Sequence, residues 1–578
     1  MAKKQGMQYK GFTVTVVALL CFGGFSIGRI YGFSIFPDEF AYWSYAARIK
    51  GYDWSDITSL GSYYSYGYSL ILFPVFILCK NAVTAYRIAV GFNFLFLFLA
   101  FIFLTNTMKK LVANSKIPIA LFSCLAILFP GNLFYTQMTM TDVLLVSLYV
   151  AAGSVLLCYV EKNSISALIL FMLILIYLYF VHMRTIGIFI SGLFALFFHI
   201  MSGQGKKKHI LIIVAMTIMM LVFGDLIKDK LILSMYSGIH QEFAEGNDYG
   251  GQIDKIRYIF TATGFYDFIV SILGKILYLG LATYGLFYWG IYALIGQIRE
   301  MFRNIRRREK VTPGQQFAVF VILSVAAQIL IATVYLLTLG EVDDYTYGRY
   351  NELIIPFVAV YGFCTLWHTR SKVIWKVTGI FALIQLLIIL LTIKQITTSG
   401  TDVFYGYFMV GISYLYHGQG FMPENFYAGA YLGGELLTAF VNIIILFGRK
   451  NSKREYIVAA FAVIELALAM RMENVYLEPF KKAAFRDWRL ADKFNELQID
   501  GDIIYMDCYA PAYIGILQFM QRDTDIRIME RRDSVNDYDG DIMGGDILVF
   551  AFDDIFWQEW TDKYTYYDIY GHFTVLYN

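Results

Sequence analysis

Apolar residues in this chain gather into long unbroken runs separated by polar stretches, and those runs predict helices that cross a bilayer. Runs of about 17–25 residues suffice to span. They fall at 11–33, 85–107, 117–135, 141–159, 164–181, 185–201, 209–225, 269–296, 317–339, 353–368, 373–393, 431–448 and 456–470. One further run, Tyr68 to Cys79, has only twelve residues, and if it crossed, every later loop would change sides.

The basic clusters decide that question. Lys109/Lys110/Lys116, Lys206 to Lys208, Arg299 to Lys310, Arg370/Lys372 and Arg449 to Arg454 share one side with the N-terminal lysines only if 68–79 stays at the surface. Short loops rich in lysine and arginine mark the cytoplasmic side. The chain is therefore expected to be a polytopic α-helical protein of the plasma membrane with about thirteen spans. Its N-terminus lies inside, and 68–79 is an interfacial or re-entrant helix. The first run follows Lys3, Lys4 and Lys10 with no small-residue cleavage site, so it reads as an uncleaved anchor. The extracytoplasmic loops are then 34–84, 136–140, 182–184, 226–268, 340–352 and 394–430. Three of these are long, polar and aromatic, as befits a working face.

Beyond 470 the pattern changes. Asp502 to Met506 and Asp546 to Phe552 read as buried strands, Pro511 to Met520 and Ile555 to Lys563 as helical, and Tyr567 to Tyr577 as strand. Residues 1–470 form the membrane domain, and 471–578 a small extracytoplasmic α/β domain.

Composition agrees: 58% of the 578 residues are hydrophobic and 16% charged, against roughly a quarter charged in soluble domains. The net charge of +2 is dispersed through short loops and gives no reason to expect nucleic acid. Cys21, Cys79, Cys124, Cys158 and Cys364 sit in apolar segments and Cys508 stands alone, so no disulfide framework is implied. No P-loop, HExxH, CxxC or nucleophile-elbow pattern occurs, which argues against nucleotide-driven transport, zinc hydrolysis and thiol chemistry.

Four constellations carry candidate chemistry. The first is Asp38-Glu39, an acidic pair at the membrane surface in aromatic surroundings. Acids at that depth are costly and invite a functional reading. A carboxylate there can accept a proton from a hydroxyl. The same pair reads equally as a solvated helix start after Pro37, where acids suit the dipole. On a helix, neighbours point about 100° apart, so only one of the two can face a given cavity.

The second constellation is the run Tyr63, Tyr64, Tyr66 and Tyr68, with Tyr42 and Trp43 before it, suited to a sugar ring or a phosphate oxygen but also to an interfacial belt. The third is a set of outer cations, Arg184, Lys255, Arg257 and Arg349, with His182 and His240 nearby. These can neutralise a phosphate leaving group. An arginine–aspartate pair with Asp343 or Asp344 would explain Arg349 without a ligand, and an ordinary solvated loop would explain Lys255 and Arg257. The fourth is Asp142 at the outer start of a span, either a dipole-compensating acid or a partner for a substrate hydroxyl.

These residues carry a resemblance. One span is followed by PDEFAYWSYAARI; an aromatic segment precedes a short apolar helix, AYRIAVGFN opens the next span, and an acid begins the fourth. The chain resembles the GT-C membrane glycosyltransferases, in particular the protein O-mannosyltransferases and the lipid A aminoarabinose transferases. The likeness covers residues 10–200 well and thins to topology and a GRY before a span up to 470. It is not diagnostic for the tail.

The resemblance implies an enzyme that moves a hexosyl or pentosyl group, with inversion, from a polyprenyl-phosphate donor such as an undecaprenyl-phosphate sugar. The acceptor would be a hydroxyl of an extracytoplasmic envelope glycan, lipid or protein. Asp38 matches the family's catalytic base, with Glu39 alternative or supporting. Tyr42 matches a tyrosine near the leaving phosphate, and Asp142 the second acidic position. Arg184 and Arg349 are phosphate ligands by location only. Ala41 departs from a basic residue of the aminoarabinose branch. YYSYGYS lacks that branch's glutamate–lysine pair, so neither a metal nor aminoarabinose specificity carries over. A mechanism with arginines on the leaving phosphate needs no metal.

A transporter or flippase for lipid-linked glycans would also use many spans and intramembrane charge, but it predicts repeated halves that are not visible here. A glycan polymerase or ligase would share the arginines without requiring Asp38.

Overall fold

The computed structural model describes residues 2–578 except 35, 62, 113–116, 237–249, 338–341, 399–405, 415–421, 451–453, 497–500, 507–510, 539 and 552–553. His240 and Cys508 therefore lie outside the described residues.

The helices run in chain order as α1 (Ala2–Ser26), α2 (Asp38–Lys50), α3 (Ser55–Ser59), α4 (Ser69–Leu78), α5 (Ala82–Leu111), α6 (Ile119–Ile127), α7 (Pro130–Tyr135) and α8 (Asp142–Lys162). Next come α9 (Ile165–Val181), α10 (Ile186–Met201), α11 (His209–Met235), α12 (Gly250–Ile259), α13 (Ala262–Ala282), α14 (Leu286–Arg306) and α15 (Pro313–Leu336). The series continues with α16 (Ile355–His368), α17 (Ser371–Thr398), α18 (Val410–Ser413), α19 (Pro423–Lys450), α20 (Arg454–Met472), α21 (Glu478–Glu496) and α22 (Pro511–Met520).

Among the described residues nine helices are long and apolar enough to cross a membrane. They cover nine of the thirteen expected runs, while 164–181 and 353–368 form shorter apolar helices and 456–470 lies within α20. Two runs expected to be single spans are interrupted. Pro130 opens a second helix, splitting 117–135 into α6 and α7, because proline clashes with the preceding turn of a continuing helix. The run 269–296 breaks at 283–285, where Tyr284 (φ 54°) and Gly285 (φ 78°) take left-handed conformations that end α13.

Helix α4 covers the ambiguous run. Its ten residues reach about 15 Å, half of a hydrocarbon core of about 30 Å. It packs against α2.

Helix α20 runs through a π-helical turn, Glu473–Leu477, directly into α21, so the C-terminal unit hangs on a continuous helical rod. Its sheet contains β1 (Ile503–Met506), β2 (Ile526–Met529), β3 (Ile547–Ala551), β4 (Tyr566–Tyr570) and β5 (Phe573–Tyr577), in the order β2-β1-β3-β5-β4. Strand β1 pairs in parallel with β2 and β3, while β5 is antiparallel to β3 and β4. Strand β2 is an addition to the expected pattern. Within the stretch expected to be helical, Ile555–Trp560 forms a 3-10 helix. Tyr567 to Tyr577 folds as a hairpin turned at Gly571 (φ 51°), where a side chain would strike Asp487.

Candidate functional site

Helix α2 begins directly after Pro37, whose φ of −64° presets the first turn. Asp38 and Glu39 both fall in that turn and point in different directions. Glu39 turns inward and is fully buried. Its Oε1 accepts from the Ser34 N–H and Oγ, each at 2.6 Å. Its Oε2 accepts from Tyr86 at 2.5 Å and from the Thr139 N–H and Oγ1 at 2.7 and 2.6 Å. Burial pushes the Glu39 carboxyl above its usual range, against the opposing pull of these donors. Five bonds from three segments make Glu39 a tie between the start of α2, α5 and the turn before α8.

Asp38 turns outward into a cavity of 540 Å³. Its Oδ2 lies 3.1 Å from Arg349 Nη2. Arg349 reaches it from the turn before α16, where the N–H groups of Gly348 and Arg349 both donate to the Phe408 carbonyl, at 3.0 and 2.9 Å. Gly348 is required there, because a Cβ would stand 2.0 Å from the Tyr278 ring. The other side of the Arg349 guanidinium donates through Nε to Asp142 Oδ2 at 3.2 Å. Asp142 Oδ1 in turn accepts from Arg184 Nη2 at 2.7 Å. The result is a chain of alternating charge, Asp38–Arg349–Asp142–Arg184, drawn from four separate segments and buried except at its Asp38 end.

Arg184 stands in the short turn Met183–Thr185 between α9 and α10, 93% buried, with its guanidinium 4.4 Å over the Tyr350 ring. Its Nε and Nη1 are buried without a hydrogen-bond partner, a costly arrangement that an anion or water would relieve. Asp38, Arg184, Arg349, Tyr64, His182 and Tyr350 line the polar part of the cavity, while Ile186, Ile256, Leu330, Ile331 and Val334 make an apolar flank. Such a space fits an amphiphile with an anionic head.

The remaining predicted residues divide clearly. Tyr64 lines the cavity. Tyr42 is fully buried behind the wall, edge-on to Tyr64 and Tyr68. Tyr66 stacks on Phe180 at 5.4 Å and is not part of the lining. Asp142 has both oxygens engaged by guanidinium groups. Lys255 donates to the Tyr335 carbonyl, and exposed Arg257 pairs with Asp254 at 3.0 Å; neither lines the cavity, although their helix α12 contributes Gln252 and Ile256.

His182 lines the cavity beside Arg184. Burial, helped by Arg184 and Arg349, holds its ring well below the usual histidine pKa, and Nδ1 accepts from the Arg184 N–H at 3.3 Å. Sequence reasoning missed Tyr350, Tyr335, Tyr347, Tyr407 and Phe408 in the lining, and also Glu352, buried close by with a hydrogen bond from Tyr278. The segment GRYNE held Tyr350 and Glu352 beside the predicted arginine, and that adjacency was the available signal.

A long apolar helical body, the short helix α4 after the Asp38-Glu39 turn and a terminal sheet unit together make a fold shared with solved ArnT structures. ArnT from Cupriavidus metallidurans bound to undecaprenyl phosphate superposes with a TM-score of 0.53 at 11% identity, over 98% of this chain and 97% of that one. ArnT from the same organism in the apo state gives 0.50 at 11%, with the same coverage. No family profile matches the sequence, and no curated protein matches it.

Proposed function

We propose that this protein is an inverting glycosyltransferase that moves a sugar from a polyprenyl-phosphate donor to a hydroxyl of an extracytoplasmic envelope glycan, lipid or protein. The observation that carries the reading is the pairing of an outward-facing acid, Asp38, with a buried guanidinium, Arg184, that has two N–H groups to spare. The likeness to an ArnT structure bound to undecaprenyl phosphate supports the donor class.

In this reading the donor phosphate takes the free Nε and Nη1 of Arg184, and its lipid lies along Ile186, Leu330 and Val334. Asp38 accepts the proton of the acceptor hydroxyl as that oxygen attacks the anomeric carbon. The anomeric C–O bond breaks, and its electron pair leaves with the phosphate as polyprenyl phosphate. Arginines already oriented by Asp142 stabilise the departing charge without reorganising. Glu39 positions the turn that carries Asp38. Arg349 touches Asp38 and Asp142 together, so it couples the base to the phosphate end.

The test uses purified full-length protein with a panel of short-chain polyprenyl-phosphate sugars, following release of free polyprenyl phosphate. Asp38→Asn is expected to abolish release from the accepted donor while undecaprenyl phosphate still binds. Unchanged release in Asp38→Asn would remove Asp38 as the base. A protein inert with every donor in the presence of a glycan acceptor would favour transport of lipid-linked glycans.

A further inference from the structure

We infer that Phe519, on α22 of the C-terminal unit, is a positioning residue for Asp38. The inference rests on the transfer reading above and assigns the C-terminal unit a part in it.

Helix α2 has two working faces. Its first turn offers Asp38 to the cavity, and its opposite face carries Phe40 and Trp43, both buried. Helix α22 covers that face. The fully buried Phe519 ring lies 4.9 Å from Trp43, 4.8 Å from Phe33 and 6.4 Å from Tyr86. Phe33 precedes the acidic turn, and Tyr86 is the donor that holds Glu39 at 2.5 Å. One ring thus packs against the segment before Asp38, the helix that Asp38 opens and the ring of the tyrosine that anchors its neighbour.

The same helix is fastened on both sides of this contact. Gly515 leaves room for Phe40, which a Cβ would approach to 3.0 Å. The Trp54 N–H donates to the Arg522 carbonyl at 2.9 Å, and Arg522 donates to the Phe76 carbonyl at the end of α4. The Glu39 and Phe40 N–H groups bond to the Phe36 and Pro37 carbonyls at 3.3 and 3.2 Å and Glu39 fixes the turn from inside, so packing on the Phe40–Trp43 face is the constraint from the other side on where Asp38 stands. Removing the Phe519 ring frees that turn to move. A base displaced by about 1 Å costs on the order of 100-fold in rate.

The experiment measures kcat and KM for lipid-phosphate release from the accepted donor, and separately the Kd for undecaprenyl phosphate, in the full-length protein. Phe519→Ala is expected to lower kcat about 10- to 100-fold with KM and Kd unchanged. Phe519→Leu keeps an apolar side chain in the slot and should restore most of the rate. A wild-type kcat in Phe519→Ala overturns the inference, as does a parallel loss of kcat and undecaprenyl-phosphate binding, the mark of a merely unfolded protein. If neither variant folds, Trp54→Phe, which removes the N–H bond to the Arg522 carbonyl just past the end of α22, must lower kcat alone, and a wild-type rate there overturns the inference equally. Wild-type protein with no Asp38-dependent release overturns the transfer reading, and this inference with it.

Discussion

Asp142→Asn isolates the electrostatics of the site. In the wild type, the half-buried carboxylate of Asp38 and the buried one of Asp142 balance two buried guanidinium groups, Arg184 and Arg349. The substitution preserves shape and removes one negative charge, leaving a net positive cluster. Arg349 keeps Asp38 at 3.1 Å, but Arg184 loses its ion-pair partner at 2.7 Å and retains the Tyr350 ring, worth about 0.5–2 kcal/mol. Removing one partner of a buried pair costs about 3–5 kcal/mol, so the unliganded variant should lose stability of that order. A lipid phosphate would return the missing charge. Undecaprenyl phosphate should therefore raise the unfolding temperature of Asp142→Asn more than that of the wild type, and turnover should fall because the arginines are no longer oriented. The assay is thermal unfolding in detergent at low ionic strength, with and without undecaprenyl phosphate. An unliganded variant as stable as the wild type, or an equal ligand-induced shift in both proteins, would refute the assignment of Asp142 as the hinge between the two arginines.

Two further outcomes are expected. Gly67 donates its N–H to the Phe180 carbonyl at 2.8 Å, and a Cβ there would stand 2.5 Å from that peptide; Gly67→Ala should cost about 1–3 kcal/mol by thermal unfolding and disturb Tyr64 and Ser65 of the cavity wall. Partial burial and the charges of Asp56, Asp53 and Asp502, only partly offset by Arg527, raise the Asp525 carboxyl to about 6. An acid whose folded pKa is raised contributes stability below its unfolded pKa and loses it as pH rises through the folded value. Asp525→Asn should accordingly unfold at a higher temperature than wild type at about pH 8 and at the same temperature near pH 3. Parallel unfolding curves across that range would remove Asp525 as the source.

A bilayer demands about twenty consecutive apolar residues per crossing, and that demand is local. The sequence alone therefore determined that the chain is a polytopic helical membrane protein and where most of its long apolar helices lie, while the expectation that 68–79 stays at the surface came from the basic clusters. It likewise marked β1, β3 and strand character over 567–577, and it singled out Asp38, Glu39, Asp142, Arg184 and Arg349 as candidate site charges. Their partnership was beyond its reach. Asp142 meets Arg184 across 42 residues and Arg349 across 207, and Asp38 meets Arg349 across 311. No periodicity encodes such separations, because each ion pair forms only when helices from distant segments pack. Which acid of the pair faces the cavity was undecidable for the same reason: Glu39 turns inward because Ser34, Tyr86 and Thr139 converge on it from three segments. The break at Tyr284 was equally hidden, since tyrosine announces no left-handed turn. An ordinary solvated loop already sufficed to explain Lys255 and Arg257 in the sequence, and packing places Arg184 at the cavity wall and those two outside it.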